Sequence, residues 1–241
     1  MPSAAIRDTF GERTMHPKTI ATALFSAVLS ASAHAGPILV SSTFDTGTDG
    51  WTAIVTNASS TWAVQGVASA VFDSDGSPGG SLRVTDPDSW WSYFVAPSHF
   101  LGNKSAAFGG TLSFESRYVT PADRYDNEAD VVLKGAGLTL VRDVTSSLPG
   151  SWTHFEVALS GGGWRVSSTF SGAVATDAQI LAVLTNLDAM WINGEHFSPV
   201  KEVIALDNVV LAAPVPEPET YAMMLAGLGI LGAIARRRRA A

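Results

Sequence analysis

The sequence contains no cysteine, and it has few basic residues outside its two ends. The lack of cysteine excludes disulfides, thiolate catalysis and cysteine-ligated zinc or iron–sulfur sites. Between Gly36 and Pro216, about 18 acidic residues stand against about 8 basic ones, so this segment carries a net charge of about −10. This charge argues against a nucleic-acid partner, because phosphate binding needs a basic surface. It is compatible with divalent cations and neutral glycans.

The sequence also lacks a recognisable catalytic set. No close pair of histidines occurs at metal-ligand spacing, and no Gly-x-Ser-x-Gly nucleophile elbow is present. Three consecutive glycines at 161–163 are not followed by a helix that begins with Lys-Ser or Lys-Thr, so a phosphate loop is not expected. Paired carboxylates can hydrolyse glycosides, but nothing in the sequence singles out a pair. We therefore predict a protein that is not an enzyme.

The first 35 residues have the features of a secretory signal-peptide region. Lys18 supplies the positive charge, and residues 20–29 supply a short apolar stretch. Ala33 and Ala35 form the small-x-small pattern that signal peptidase accepts, so we expect cleavage before Gly36. The residues before Met15 fit this pattern poorly, and Met15 is a candidate for the true start. The alternative interpretation of the apolar stretch is a buried core helix.

The C-terminal segment, 214–241, combines three features in order. The first is Pro216-Glu217-Pro218, which the two prolines keep extended. An apolar stretch at about 221–235 follows, and it predicts a transmembrane helix, although it is short for one. The last feature is the cluster Arg236, Arg237, Arg238 and Arg239. Because positive residues stay on the cytoplasmic side, the body is expected to lie outside the inner membrane.

This tail resembles the PEP-CTERM sorting signal of Gram-negative bacteria that make exopolysaccharide. The resemblance implies that an exosortase, a membrane transpeptidase, cuts near the Pro-Glu-Pro motif. It implies export across the inner membrane, anchoring by the C-terminal helix before processing, and a place at the cell surface or in the extracellular matrix afterwards. The alternative is a simple tail anchor that is never cut.

The body between the two ends, 36–213, is predicted to be one all-β domain. Apolar and polar residues alternate at 81–85, 111–118, 138–141 and 154–159, as in half-buried strands. Glycine and proline clusters separate these segments. Only residues 177–187 indicate a helix within the body, with Thr176 as its cap. Many strands and one short helix favour a β-sandwich.

The body also resembles a known module, the laminin B (laminin type IV) domain. The matching segments occur in the order of that family over about 125 residues, and they are 90–97, 100–104, 108–114, 130–140, Trp152, 164–165, 184–189 and 206–209. The resemblance implies a jelly-roll sandwich similar to galactose-binding domains, adhesion or matrix roles, and no catalysis. The cysteine-rich repeats that flank this module in laminins are missing here.

Two kinds of binding site are candidates in this body. Calcium prefers several oxygen ligands on a tight loop, and Asp45 and Asp49 lie on such a loop. In jelly-roll domains the first and last strands are neighbours, so Asp207 is a candidate partner for a structural calcium ion. The competing interpretation is that Asp45 and Asp49 form turns and that Asp207 pairs locally.

A glycan site needs exposed aromatic rings that stack on sugar faces. The candidates are Trp91, Tyr93 and Trp191, and for each tryptophan the competing interpretation is a place in the core. The leading functional hypothesis is therefore an exported binding module for exopolysaccharide or another matrix component. A structural biofilm-matrix protein without a small-molecule site is the second hypothesis, and a glycan-active hydrolase is the third.

Overall fold

The protein is described here by a computed structural model. It describes residues 36–57, 63–87, 91–119, 129–144, 148–166, 172–195, 201–215 and 218–239. The predicted signal peptide, including Ala33 and Ala35, therefore lies outside the described residues, as do Pro216 and Glu217.

Short strands dominate the described residues, as the alternating sequence pattern predicts. The strands are β1 (Ile38–Ser42), β2 (Thr52–Thr56), β3 (Val64–Ala68), β4 (Ala70–Asp73), β5 (Ser81–Thr85), β6 (Trp91–Val95), β7 (Thr111–Tyr118), β8 (Val131–Gly135), β9 (Leu138–Arg142), β10 (Thr153–Ala158), β11 (Trp164–Val166), β12 (Ala173–Val174), β13 (Leu187–Asn193) and β14 (Val203–Ala212). Two helices, α1 (Asp177–Thr185) and α2 (Pro218–Arg239), and two 3-10 turns, Ser98–Phe100 and Ser105–Ala107, complete the described elements.

The strands form two antiparallel sheets in a jelly-roll β-sandwich. One sheet has the order β10-β7-β14-β5-β4, with β1 also paired to β14, and the other has the order β12-β11-β9-β8-β13-β6-β2-β3. Sequence neighbours are often in different sheets, so most strand pairs join distant parts of the chain. The fold class predicted from the sequence is confirmed.

Apolar side chains from the inner faces of both sheets fill the space between them. Trp51 and Trp164 are the largest side chains of this core, and both are almost completely buried. The Trp51 ring lies edge-on to Phe100, with 5.3 Å between the ring centroids. The indole of Trp164 donates a hydrogen bond to the carbonyl of Ala158 over 2.8 Å. Each ring therefore anchors a loop at the rim of the sandwich as well as filling the core.

The helix α1 begins where the sequence predicts and ends two residues early. Thr176 accepts a hydrogen bond from the amide of Gln179, whose side chain accepts one from the Thr176 amide, which completes a capping box. Ile180 and Leu184 face the core, whereas Leu181 is 39% exposed. Leu187 already belongs to β13, because its backbone pairs with the edge of β8.

The two ends of the sandwich lie side by side. The amide of Ala213 donates to the carbonyl of Pro37 over 2.9 Å, one residue beyond the β1–β14 pairing. Gly36 is packed so closely that an added Cβ would lie 1.7 Å from the Ala213 oxygen. A side chain at residue 36 would therefore displace the backbone that leads into the sorting tail.

Candidate functional site

The outer face of the eight-stranded sheet is apolar where β6 crosses it. Successive side chains of a strand point to opposite faces. Phe94 on β6 points into the core between the sheets, so its neighbours Tyr93 and Val95 point outward, together with Trp91. Strands of a solvated antiparallel sheet normally carry polar residues on this side.

Neighbouring strands extend this apolar surface, which we call the aromatic face. Tyr93 and Trp191, on adjacent strands, have ring centroids 6.0 Å apart. The complete aromatic face consists of Ile54, Trp91, Tyr93, Val95, Ala129, Val132, Val141, Ala189 and Trp191. The structure therefore brings together the three aromatic residues that are predicted from the sequence as candidates for glycan binding.

The rings of the aromatic face differ in how far solvent reaches them. Tyr93 is fully buried, and its hydroxyl donates to the carbonyl of Ala129 over 3.0 Å. Trp191 is 5% exposed, whereas Trp91 is half-buried and presents part of its ring to the surface. Trp91 is thus the accessible ring of the three. Trp164 belongs to the core.

A cation lies directly over this face. The Nζ atom of Lys134 is 4.0 Å from the centroid of the Trp191 ring, a distance typical of a cation–π interaction. Burial lowers the pKa of Lys134, because removal from water disfavours the charged ammonium group. The sequence analysis does not select Lys134, although the alternation in β8 places it on the same side as Val132.

A second candidate site surrounds Asp207, on the outer face of the six-stranded sheet. Its side chain is fully buried beneath the loop that joins β4 to β5. The carboxylate accepts a hydrogen bond from the amide of Ser77 over 2.6 Å and another from the amide of Asn208 over 2.7 Å. Asn208 adopts a left-handed backbone conformation at a bulge in β14, and its amide group donates to Ser77 and to Glu115.

The surroundings of Asp207 disfavour its charge. Its pKa rises from 3.8 to about 6, mainly because burial removes water from the carboxylate. The two backbone hydrogen bonds act in the opposite direction, and the nearby carboxylates of Glu115 and Asp45 add to the rise. The carboxylates of Asp207, Glu115 and Asp45 therefore interact electrostatically in one small region.

The structure brings the predicted calcium ligands together only in part: Asp45 and Asp49 line one cavity in the loop after β1. The side chain of Asp45 lies against Gly79, in the loop above Asp207. Its Oδ1 atom is only 2.1 Å from the position that a Cβ on Gly79 would occupy. Asp49 instead accepts a hydrogen bond from Ser42 and lies 3.5 Å from His99. Among the described residues, no group of three or more His, Asp or Glu side chains is arranged to hold a metal ion. Calcium binding stays a prediction, with Asp45 and Asp207 as its nearest pair.

Comparison with known proteins decides the family. The profile of the laminin B domain (Domain IV) matches residues 93–223, which is more than half of the chain. The chain belongs to the laminin B family. Its matched region includes the aromatic face from Tyr93 onward and the whole of α1.

The laminin B relatives are much longer proteins. The human laminin subunit gamma-2 is 36% identical over 118 residues, which cover 48% of this chain and 9% of that protein. The mouse laminin subunit alpha-1 is 33% identical over 125 residues, which cover 49% of this chain and 4% of that protein. The chain thus spans less than a tenth of the length of these relatives. The L4b domain of human laminin alpha-2 has the same fold, with a TM-score of 0.56, 14% identity, and coverage of 75% of this chain and 100% of that domain.

The C-terminal segment is a recognised sorting motif. The PEP-CTERM protein-sorting profile matches residues 214–239, so this laminin B protein carries a signal for export and surface sorting. Pro218 begins α2, and the four arginines form its last turn. The sequence predicts a transmembrane helix at about 221–235, but within the described residues no helix is both long and apolar enough to cross a membrane.

Proposed function

We propose that this chain is an exported, non-enzymatic module that binds an extracellular polysaccharide or another matrix component through its aromatic face. The main support for this proposal is the apolar composition of the aromatic face. Five of its nine members are at most 5% exposed and the other four are partly buried, so an aromatic and aliphatic cluster replaces the polar residues that a solvated sheet would carry on its outer side. The partly buried members, Ile54, Trp91, Val95 and Ala189, are the part of this cluster that a ligand can reach.

The chemistry of the aromatic face suits a carbohydrate. Sugar rings present flat patches of C–H groups, and the accessible part of Trp91 offers a ring on which such a patch can stack. Lys134, fixed over Trp191, adds a hydrogen-bond donor at the edge of the apolar surface. The acidic body favours a neutral glycan over a strongly anionic one.

The binding test uses polysaccharide from the bacterium that makes the protein. We expect Trp91→Ala to weaken binding by about tenfold, which corresponds to the loss of one stacked ring, about 1–1.5 kcal/mol. Trp152→Ala is the matched control, because Trp152 is also half-buried but lies outside the aromatic face. Affinity electrophoresis or calorimetry measures both variants against the unchanged protein.

Two results would contradict this proposal. The first is the absence of binding by a protein whose circular dichroism shows an intact fold. The second is equal loss of affinity in Trp91→Ala and Trp152→Ala, which would show that the aromatic face has no special role. Hydrolysis of the polysaccharide would instead favour the hydrolase alternative.

We also propose that signal peptidase and an exosortase process the two ends. In that case the chain is held in the inner membrane by its C-terminal helix before cleavage and reaches the surface or matrix afterwards. The sorting motif at 214–239 supports this route. Mass spectrometry of the mature protein should find Gly36 as the first residue and a C-terminus near Pro216–Pro218. A mature protein that keeps Arg236 to Arg239 would instead be an uncut tail anchor.

A further inference from the structure

Charge is distributed unevenly between the two sheets. The strands of the six-stranded sheet contain four acidic residues and two arginines. Those of the eight-stranded sheet contain three basic residues, Lys134, Arg142 and Arg165, and one acidic residue, Asp188, which lies at a bulge in β13. The body as a whole carries a net charge of about −10. The strands of the eight-stranded sheet are therefore net basic within an acidic body.

Two of these basic residues lie on the side of the aromatic face. Residues two apart along a strand, and residues paired across neighbouring strands, share one side of a sheet. Lys134 follows Val132 by two residues, and Arg165 pairs with Val141, so both share a side with members of the aromatic face. Arg142 directly follows Val141 and alternates to the other side. Arg165 is exposed and Lys134 is half-buried, so a ligand on this face can reach both.

The strand register separates the two cations. Lys134 pairs with Thr139 on β9, and Arg165 pairs with Val141 on the same strand. Two residues along β9 and two strand spacings put the Cα atoms of Lys134 and Arg165 roughly 12 Å apart. The Nζ atom of Lys134 lies over Trp191 on β13, so it points away from β11 and Arg165. The face therefore offers two separate positive positions rather than one paired anion site.

We propose that the aromatic face binds a polysaccharide in which carboxylated sugars are separated by neutral ones, with Lys134 and Arg165 each holding one carboxylate. This inference rests on the proposed function, and charge complementarity carries it. A carboxylate accepts charge-assisted hydrogen bonds from an ammonium or a guanidinium group. The acidic body repels a densely charged chain, so the carboxylates on the ligand must be sparse. Trp91 then stacks on a neutral sugar of the same chain.

Partial burial strengthens a contact at Lys134. Charges interact more strongly where water is partly excluded, and burial already lowers the pKa of Lys134. A bound carboxylate favours the charged ammonium form and so offsets this cost. We therefore expect Lys134 to contribute more to binding than the exposed Arg165.

The test compares the polysaccharide of the producing bacterium with the same polymer after chemical reduction of its carboxyl groups to alcohols. We expect the unchanged protein to bind the native polymer about tenfold more tightly than the reduced one. Lys134→Gln and Arg165→Gln each remove a charge but keep a hydrogen-bond donor. Each should weaken binding to the native polymer and leave binding to the reduced polymer unchanged, whereas Lys134→Arg should retain the preference. Lys201→Gln is the matched control, since Lys201 is an exposed lysine just before β14, in the other sheet. Calorimetry measures the affinities, and circular dichroism confirms that each variant folds.

The outcomes distinguish the carboxylate contacts from the proposed function. Equal binding of the two polymers, with a loss of affinity in Trp91→Ala, would overturn the carboxylate contacts and leave the proposed function intact. The same loss in Lys201→Gln as in Lys134→Gln and Arg165→Gln would also overturn them, because the effect would then belong to net charge. No binding to either polymer would overturn the proposed function and the carboxylate contacts together. Arg165→Gln changes an exposed side chain, so it still decides the test if Lys134→Gln does not fold.

Discussion

The outer face of the six-stranded sheet carries ion pairs, whereas the outer face of the eight-stranded sheet is mainly apolar. On the six-stranded sheet, Arg83 and Arg117 share the carboxylate of Asp75, at 3.4 and 2.5 Å. The eight-stranded sheet instead carries the aromatic face, with Lys134 over Trp191. Exposed ion pairs contribute little to stability, whereas buried rings contribute much. One face therefore carries partly solvated ion pairs, and the other carries a cluster of largely buried apolar side chains.

Among the described residues, each face carries a cation–π pair, so the two pairs can be compared. Arg117 lies 4.7 Å from the ring of Trp152, and Lys134 lies 4.0 Å from that of Trp191. Arg117 also has an acidic partner, whereas burial lowers the pKa of Lys134. The ring is half-buried in the first pair and only 5% exposed in the second.

The largest expected effect is the loss of a buried ring from the aromatic face. Trp191→Ala should reduce the free energy of unfolding by about 3–5 kcal/mol, because it leaves a cavity beside Tyr93. Trp152→Ala should cost roughly 1–2 kcal/mol, since that ring is half-buried. Urea denaturation measures both. Equal costs would remove the distinction between the two faces.

The next effect concerns Asp207 on the charged face. Its pKa is about 6 in the folded protein and 3.8 as the reference for the unfolded chain, so the folded state binds the proton more tightly. Stability should therefore fall as the pH rises from about 4 to about 6, and then stay at the lower level. The change is at most about 3 kcal/mol, at about 1.4 kcal/mol per pKa unit, and solvent screening reduces it.

The measurement is urea denaturation from pH 4 to 7 with a chelator present. Asp207→Asn has no carboxyl group to titrate, so the difference between the two proteins isolates this residue. If the difference did not change with pH, Asp207 would not carry a raised pKa.

Calcium should act on the same cluster. At a free concentration about one hundred times its dissociation constant, a structural ion adds about 2.7 kcal/mol, so a chelator should lower the melting temperature. Asp45→Asn and Asp207→Asn should abolish the response to calcium. Asp49→Asn should keep it, because Asp49 is held by Ser42 and His99. A melting temperature that is the same with calcium and with chelator would exclude this ion.

The smallest effect belongs to the exposed ion pairs. Asp75→Asn removes the carboxylate shared by Arg83 and Arg117, and it should cost no more than about 1 kcal/mol. The cost should shrink as salt is added, because salt screens exposed charges. Melting temperatures at low and high salt test this. A loss that salt does not change would mean that the network is not solvated.

Local sequence patterns were sufficient to predict many strands of the fold. The alternation at 81–85 and 111–118 corresponds to β5 and β7 residue for residue. The cap at Thr176 gave the start of α1. These features depend on neighbours within a few residues, which a sequence displays directly.

The candidate sites depend on the register between paired strands, which cannot be read from the sequence. Tyr93 and Trp191 were predicted separately, but their contact and the place of Lys134 follow from pairings between strands far apart in the chain. The same holds for Asp207, whose partners Ser77 and Glu115 lie on other strands and loops. Asp45 and Asp49, which are close in the sequence, line one cavity, but their carboxylates accept hydrogen bonds from different residues.

The pairing of β1 with β14 has a mechanical consequence. If the mature protein is attached through the residues that follow Ala213, tension enters the sandwich along β14. This strand has β7 on one side and both β5 and β1 on the other. A pull would thus be spread over three strand pairs rather than peeling a single hairpin, and flow past a cell would strain the attachment before the module.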